Sequence, residues 1–250
     1  LPWKKERIDL VFECTGIFTS REGMAKHIEA GARRVILSAP ETSGEVSTVV
    51  HGVNSPDQPP QLISCASCTT NCITPLVEII GRRLGLQKAA MTTVHAYTST
   101  QNIVDGPRKK WERGRAAAMN FVPTTTGAAK ATGKALPEYA EVFDGIAIRG
   151  PVSVGSIADL VFVTSRKTSV QEVNDIFREE AAGARYRNIV GVSEDPLVSS
   201  DIIGDSRASI VDLIMTQVTA GDLVKVLSWY DNEWGYSSQM VREAVNLSGK

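Results

Sequence analysis

Three cysteines lie close together in the 250-residue chain, at positions 65, 68 and 72, and their spacing permits three interpretations. The C-x2-C-x3-C pattern resembles the ligand spacing of an iron–sulfur cluster. However, Cys14 lies in a different predicted strand and the chain has only three histidines, so a fourth ligand is lacking and we predict no metal site. The second interpretation is that all three are small buried residues, as free cysteines usually are.

The third interpretation makes Cys68 a nucleophile. The apolar residues after it have helical spacing as far as Gly85, which places Cys68 in the first turn of a helix. Unpaired backbone amides and the positive end of the helix dipole favour a thiolate there. His95 ends a predicted strand, and an imidazole beside the sulfur would complete its activation. Ordinary core packing of Cys68 and His95 stays open, and Cys72, one turn further along, is assigned to the core.

Upstream of the cysteines, the pattern predicts a strand–helix–strand unit: strands at residues 8–14 and 34–38, and a helix at 22–30 that ends at Gly31. Such a unit favours a parallel, helix-covered sheet whose ligands lie beyond the carboxyl ends of the strands, where Thr15 and Ser38 fall. A Pro-rich stretch at residues 55–60 interrupts the pattern before a short strand at 62–64.

Downstream, the pattern predicts helices packed on one face of a mixed or antiparallel sheet. The predicted helices are residues 128–136 and 170–182, and the predicted strands are residues 89–96, 145–149, 157–164 and 223–230. A last amphipathic segment, residues 238–247, is expected to be capped by Ser237 and to return to the first sheet.

Composition excludes several classes of protein. Lys and Arg total 27 against 28 for Asp and Glu, so the net charge of −1 provides no global field for nucleic acid or an anionic membrane. The longest uncharged run, residues 58–77, is too polar to span a bilayer. Four cysteines lack the density of a secreted disulfide scaffold, which favours the cytoplasm. The basic run at 108–115, which includes Trp111, permits a nucleic-acid hypothesis, but a solvated or subunit-facing loop is the simpler interpretation.

Four segments carry a family resemblance: residues 67–72 (Ser-Cys-Thr-Thr-Asn-Cys), 95–98 (His-Ala-Tyr-Thr), 123–131 (Pro-Thr-Thr-Thr-Gly-Ala-Ala-Lys-Ala) and 229–236 (Trp-Tyr-Asp-Asn-Glu-Trp-Gly-Tyr). In this order they resemble phosphorylating glyceraldehyde-3-phosphate dehydrogenase. The resemblance implies an incomplete Rossmann-like parallel-sheet domain at 1–66 and 233–250, which binds NAD or NADP. It also implies a catalytic domain at 67–232, with a helix-covered mixed or antiparallel sheet, and a cytoplasmic homotetramer.

The resemblance also implies roles for individual residues. Cys68 would attack glyceraldehyde 3-phosphate and His95 would be its base, giving a thioester that inorganic phosphate cleaves to 1,3-bisphosphoglycerate. The substrate phosphate would be held by Thr98 and Arg149, and inorganic phosphate by Ser67, Thr69, Thr126 and Gly127. The cofactor would be held by Thr15, Ser38, Asn232 and Tyr236. Taken alone, residues 124–127 also suit a helix cap. An erythrose-4-phosphate dehydrogenase and an inactive binding fragment are the alternative functions.

The sequence departs from the family in two places. The family begins with a strand, a glycine-rich phosphate turn and an acidic residue for the adenosine ribose, and none of these is present. We therefore expect the sequence to begin inside a domain and to bind dinucleotide poorly, and NAD against NADP stays open. Residues 150–156 read Gly-Pro-Val-Ser-Val-Gly-Ser where the family has Val-Pro-Thr-Pro-Asn-Val-Ser, so the backbone after Arg149 is free to take another path.

Overall fold

The structure is a computed structural model that describes residues 1–56 and 60–248. Parts of two predictions, the Pro-rich stretch at 55–60 and the return to the first domain at 233–250, therefore lie outside the described residues. No helix in the described ranges combines the length and the apolar character that crossing a bilayer requires.

The first sheet has four parallel strands, which confirms the prediction for the amino-terminal part. The spatial order is β1 (Leu10–Glu13), β2 (Arg34–Leu37), β4 (Leu62–Ser64) and β3 (Ser47–Thr48). A short helix α1 (Trp3–Glu6) precedes β1, and α2 (Arg21–Glu29) connects β1 to β2. Gly31 follows α2 with a φ of 107°, a conformation that glycine adopts without a Cβ penalty.

Helices cover both faces of the first sheet. Met24 of α2 packs with Val35 and Leu37, while Met240 of the last helix, α6 (Trp234–Ser248), packs with Ile36 and Ile63. The return of the chain to this sheet is thus as predicted.

The predicted cap of the last helix is wrong. α6 begins at Trp234, three residues before Ser237, because the Asp231 carboxylate accepts the backbone N–H groups of Glu233 and Trp234 at 2.8 Å each. An aspartate carboxylate that accepts hydrogen bonds from the first backbone N–H groups of a helix caps it in the way that we expected of the Ser237 hydroxyl.

The second sheet has seven strands with mixed directions. Their spatial order is β6 (Val122–Thr125), β7 (Phe143–Gly150), β5 (Leu86–Ala96), β8 (Ser156–Thr164), β11 (Leu223–Tyr230), β10 (Ser209–Thr219) and β9 (Val190–Ser193). Three of these strands, β6, β9 and β10, were not expected from the pattern. β6 contains Pro123 and two threonines among its four residues, and a register shift between Asp212 and Gln217 breaks the alternation of β10.

One face of the second sheet packs against three helices: α3 (Cys68–Leu84), α4 (Ala128–Ala135) and α5 (Val170–Ala182). Their apolar side chains form one core with the sheet, which includes Leu76, Leu160 and Phe177. The opposite face is open in the described chain and carries exposed apolar side chains, among them Val94 and Ile146. Helices on one face of a mixed sheet are what the sequence predicts for this part.

Candidate active site

Cys68 is the first residue of α3, as the helical spacing predicts. Ser67 caps this helix, because its hydroxyl accepts the backbone N–H of Thr70 at 3.1 Å. His95 is the second-last residue of β5, and the fold brings it directly to the helix start. The Cys68 Sγ and His95 Nε2 atoms are 3.2 Å apart, close enough for a hydrogen bond between thiol and imidazole.

The tautomer of His95 is assigned from its contacts. Its Nδ1 lies 2.7 Å from the carbonyl oxygen of Ala96, which can only accept, and 2.9 Å from Arg149 Nη1, which can only donate. We place the proton of the neutral ring on Nδ1, because the carbonyl contact is the shorter of the two and Nε2 can then accept from the Cys68 thiol. The ring is only 5% exposed, so solvent hardly competes for these two contacts.

Burial dominates the ionisation of the pair. It raises the pKa of the Cys68 thiol, although hydrogen bonds from Thr69 and the charge of Arg149 act in the opposite direction. Burial and, next, the Arg149 guanidinium lower the pKa of His95 to about 4. Burial therefore outweighs the lowering of the Cys68 pKa that we expect from the helix start. Both pKa shifts favour the neutral thiol–imidazole pair.

Arg149 reaches the same pair from β7, which runs beside β5 with Arg149 opposite His95. Its Nη1 lies 2.9 Å from His95 Nδ1 and donates to the Ala96 carbonyl at 2.9 Å. Its Nε is buried with no hydrogen-bond partner in the part of the chain that the structure describes. A partly buried guanidinium with a free N–H is a ready partner for an anion.

Arg113 is a second cation at this place and was not singled out from the sequence. Its Nε donates to the Thr124 hydroxyl at 3.2 Å, and its charge, after burial, contributes to lowering the pKa of Arg149. The basic run at 108–115 contained the signal, but nothing in the run distinguishes Arg113 from its neighbours. Two guanidinium groups that repel one another favour binding of an anion between or beside them.

The other predicted phosphate residues divide into two groups. Ser67 and Thr69 flank Cys68 at the start of α3, and the buried Thr69 hydroxyl lies 2.9 Å from that of Tyr230. Thr98 follows β5 by two residues and is half-buried.

Thr126 and Gly127 stand at the amino end of α4 instead, and they make no described hydrogen bond to Cys68, His95 or Arg149. The Thr126 hydroxyl accepts the Ala128 backbone N–H at 3.2 Å. The space beside Gly127 is open, because a Cβ built there would meet nothing within 4 Å.

Three of the predicted cofactor residues lie near the carboxyl ends of β1 and β2. A cavity of about 440 Å³ opens there, lined by Phe12, Cys14, Ser38 and Tyr236 among others. Thr15 follows β1, and its backbone N–H donates to Glu13 at 2.8 Å. The Tyr236 hydroxyl donates to the Ala66 carbonyl at 3.1 Å, just before the helix of Cys68, so this tyrosine connects the cavity with the nucleophile.

Asn232, the fourth predicted cofactor residue, lies between β11 and α6. Its Oδ1 accepts from the Gly155 backbone N–H at 3.1 Å and from the Ser156 hydroxyl at 3.0 Å. All four cysteines are free thiols, and no cluster of three or more potential metal ligands occurs in the described ranges.

Comparison with known proteins gives a consistent result. Residues 67–232 match the family described as "Glyceraldehyde 3-phosphate dehydrogenase, C-terminal domain". The chain belongs to the glyceraldehyde-3-phosphate dehydrogenase family. It is 47% identical over 244 residues to glyceraldehyde-3-phosphate dehydrogenase 2 of Streptomyces avermitilis, covering 96% of this chain and 72% of that protein. It is 48% identical over 252 residues to the glyceraldehyde-3-phosphate dehydrogenase of Mycobacterium leprae, covering 100% of this chain and 73% of that one.

Most of the candidate site residues lie within the region that matches the family. Cys68, His95, Arg149 and Asn232 all lie within the residues that match the family's C-terminal domain. Thr15, Ser38 and Tyr236 lie outside that match, but within the longer alignment to the mycobacterial relative, which covers the whole chain.

Proposed function

We propose that the chain carries the catalytic site that oxidises glyceraldehyde 3-phosphate to 1,3-bisphosphoglycerate through a cysteine thioester. The observation that carries this proposal is the 3.2 Å contact between Cys68 Sγ and His95 Nε2 beside the guanidinium of Arg149. A nucleophile, a base and an anion-binding cation are the three groups that such a reaction requires. The relatives' names give the substrate class.

The first steps follow from the neutral pair. As the Cys68 sulfur attacks the aldehyde carbon, its proton passes to His95 Nε2, and the new alkoxide then takes that proton to give a hemithioacetal. When the hemithioacetal loses hydride, His95 removes the hydroxyl proton and a thioester remains on Cys68. The Ala96 carbonyl holds the Nδ1 proton throughout, so Nε2 always faces the sulfur.

The second half of the reaction needs an anion site beside the thioester. An oxygen of inorganic phosphate attacks the thioester carbon, the C–S bond breaks, and the Cys68 sulfur leaves as a thiolate that recovers a proton from His95. We assign the substrate phosphate to Arg149 and Thr98, and inorganic phosphate to Ser67, Thr69, Thr126 and Gly127. Arg113 adds positive charge to the same region. Each charge-assisted bond contributes roughly 1.5–3 kcal/mol.

The residues around the cavity at Ser38 and Tyr236 suit a nicotinamide cofactor, NAD or NADP. The Asn232 Nδ2 group is a donor with no hydrogen bond to the described residues, because the Oδ1 side of the amide is the side that the protein holds. Thr15, Ser38 and Tyr236 would shape the pocket, and Asn232 would hold the carboxamide. When bound, the nicotinamide ring accepts the hydride. We propose residues 1–66 and 233–250 as the cofactor-binding part and 67–232 as the catalytic part.

We propose a cytoplasmic homotetramer as the working assembly. Apolar side chains are exposed on the open face of the second sheet and on the loop before β6: Val94, Ile103, Val104, Trp111, Met119, Phe121 and Ile146. Apolar surface of this kind commonly marks a subunit interface. The four free thiols suit a reducing compartment. Sedimentation of the purified protein tests the assembly, and cell fractionation tests the location.

Trapping the thioester tests the chemistry. Incubation with glyceraldehyde 3-phosphate and NAD or NADP, without inorganic phosphate, should add a glyceroyl 3-phosphate group to the peptide that contains Cys68, as detected by mass spectrometry. Cys68→Ser should abolish the adduct, and the peptides that contain Cys14, Cys65 and Cys72 should stay unmodified in the wild-type chain. Adduct on another cysteine, or equal adduct in Cys68→Ser, would refute the assignment. Faster NAD(P)H formation with erythrose 4-phosphate would favour the related dehydrogenase instead.

The nucleic-acid alternative has less support. Within the basic run, Arg108 bonds to Asn102, Arg113 to Thr124, and Arg115 to Asp105, so these cations hold the loop against its own surroundings. A salt-sensitive nucleic-acid complex that is lost in Lys109→Ala would revive this alternative.

A further inference from the structure

Asn232 has an amide whose orientation is determined by its partners. Both groups that contact its Oδ1 are donors: the Gly155 backbone N–H at 3.1 Å and the Ser156 hydroxyl at 3.0 Å. An amide nitrogen at that position would face the Gly155 backbone N–H, which can only donate, so the oxygen lies inward and Nδ2 outward. Asn232 is 9% exposed, and its Nδ2 makes no hydrogen bond to the described residues.

The same serine contacts the catalytic strand. The Ser156 hydroxyl oxygen accepts the Ala96 backbone N–H at 3.1 Å, and its single proton goes to Asn232. Ala96 follows His95, and its carbonyl accepts from both His95 Nδ1 and Arg149 Nη1. Ser156 is 1% exposed, so water does not replace either bond. One hydroxyl therefore connects the Asn232 amide to the residue that orients the base.

We infer that Ser156 is a positioning residue that presents the Nδ2 group of Asn232 to a ligand carbonyl and fixes that group relative to His95. The inference rests on the proposed function, because the ligand carbonyl is that of a nicotinamide carboxamide. The donor at Nδ2 selects for an acceptor, so a pyridine compound with a carbonyl at ring position 3 is favoured over one without it. The Oδ1 side cannot make this distinction, since the protein occupies it.

The departure from the family's pattern at residues 150–156 contributes to the same arrangement. Gly155 has a φ of 92°, and a Cβ on it would lie 2.4 Å from the Ser199 carbonyl oxygen. Only glycine fits this backbone without displacing residue 199. The glycine thus allows the turn that aims its own N–H at Asn232.

Two mononucleotides test this inference without any adenosine contact. Nicotinamide mononucleotide carries the carboxamide, and pyridine mononucleotide carries hydrogen in its place. Each is titrated into the ¹⁵N-labelled chain, with NMR signals followed for the Asn232 side-chain NH₂ and the Ala96 backbone N–H. The variants are Ser156→Ala and, as a control, Ser209→Ala, which removes an equally buried serine hydroxyl that bonds to Ser228 at 2.7 Å.

In the wild-type chain we expect nicotinamide mononucleotide to shift the Asn232 NH₂ signal. Ser156→Ala should weaken its binding roughly three- to tenfold, which corresponds to one lost hydrogen bond, and should accelerate hydrogen exchange at Ala96. The same variant should change the affinity for pyridine mononucleotide by no more than about twofold. Ser209→Ala should leave the affinity for both ligands unchanged. A purely structural role of Ser156 would weaken both ligands alike.

The outcomes separate the inference from the proposed function. If the wild-type chain binds nicotinamide mononucleotide and Ser156→Ala affects both ligands equally or neither, the inference is wrong and the cofactor assignment stands. If the wild-type chain binds neither compound, the cofactor role of Asn232 is wrong, and the inference falls with it.

Discussion

Buried His95 should make the chain unusually sensitive to mild acid. Its pKa is about 4 in the folded chain and 6.5 when unperturbed. Below pH 6.5 the unfolded chain binds a proton at this histidine, whereas the folded chain does not. The free energy of unfolding therefore decreases between pH 6.5 and about 4. One pKa unit corresponds to about 1.4 kcal/mol, and pH 5 lies about one and a half units below the pKa of His95 in the unfolded chain. His95 alone should therefore lower the free energy of unfolding by about 2 kcal/mol between pH 8 and pH 5.

The assay compares wild type with His95→Gln by urea unfolding at pH 8 and at pH 5. Carboxylates titrate alike in both proteins, so the difference between their pH-dependent losses isolates the histidine. We expect wild type to lose about 2 kcal/mol more than the variant. NMR titration of the His95 ring proton supplies the pKa directly, with His27 and His51 as internal signals. Equal losses, or a His95 pKa at or above 6, would refute the reasoning and indicate that a thiolate–imidazolium pair survives burial.

Three further predictions follow from other parts of the structure. Gly155→Ala should lower the free energy of unfolding by about 2 kcal/mol, measured by urea unfolding, because the methyl group meets the Ser199 carbonyl; an unchanged value would show that the turn adapts. Phe121→Asp should reduce the sedimenting mass of the assembly and change stability by less than about 0.5 kcal/mol; an unchanged mass would exclude this surface as an interface. Iodoacetamide at pH 7.5 should leave Cys65 and Cys72 unlabelled in the folded chain, as read by peptide mapping, because burial raises the pKa of each thiol to about 12; labelling at the rate of Cys14 would contradict this.

Sequence patterns within a few residues predict the start of the helix that carries Cys68. The start of α3 depends on a capping serine and an apolar repeat, both of which lie within a few residues of Cys68, so its position was predictable. The parallel first sheet followed from its strand–helix–strand pattern for the same reason. β10 could not be found in this way, because a register shift interrupts its alternation and only the neighbouring strand β11 determines where it pairs.

Contacts between distant segments could not be predicted. The Ser156 hydroxyl and the Asn232 amide are 76 positions apart, and no periodicity connects them. The sequence predicts ionisation of Cys68 from the helix start and a neighbouring imidazole, whereas the larger effect on its pKa is burial by elements that the helix does not contain. Arg113 is one of several cations in its run, and only the fold sets it against Thr124. The residue types that do chemistry were visible in the sequence, but their electrostatic environment was not.

Ala96 connects the base, the cation assigned to the substrate phosphate and the amide assigned to the cofactor. Its carbonyl accepts from the base, His95, and from the cation assigned to substrate phosphate, Arg149, while its N–H donates to the serine that orients Asn232. Ala96 is fully buried in β5, between β7 and β8. A shift of this one residue would therefore move the proton acceptor, the phosphate contact and the cofactor contact together. Rigid elements hold reacting groups more accurately than loops do, and here three groups from different parts of the chain contact, directly or through Ser156, a single position in the sheet.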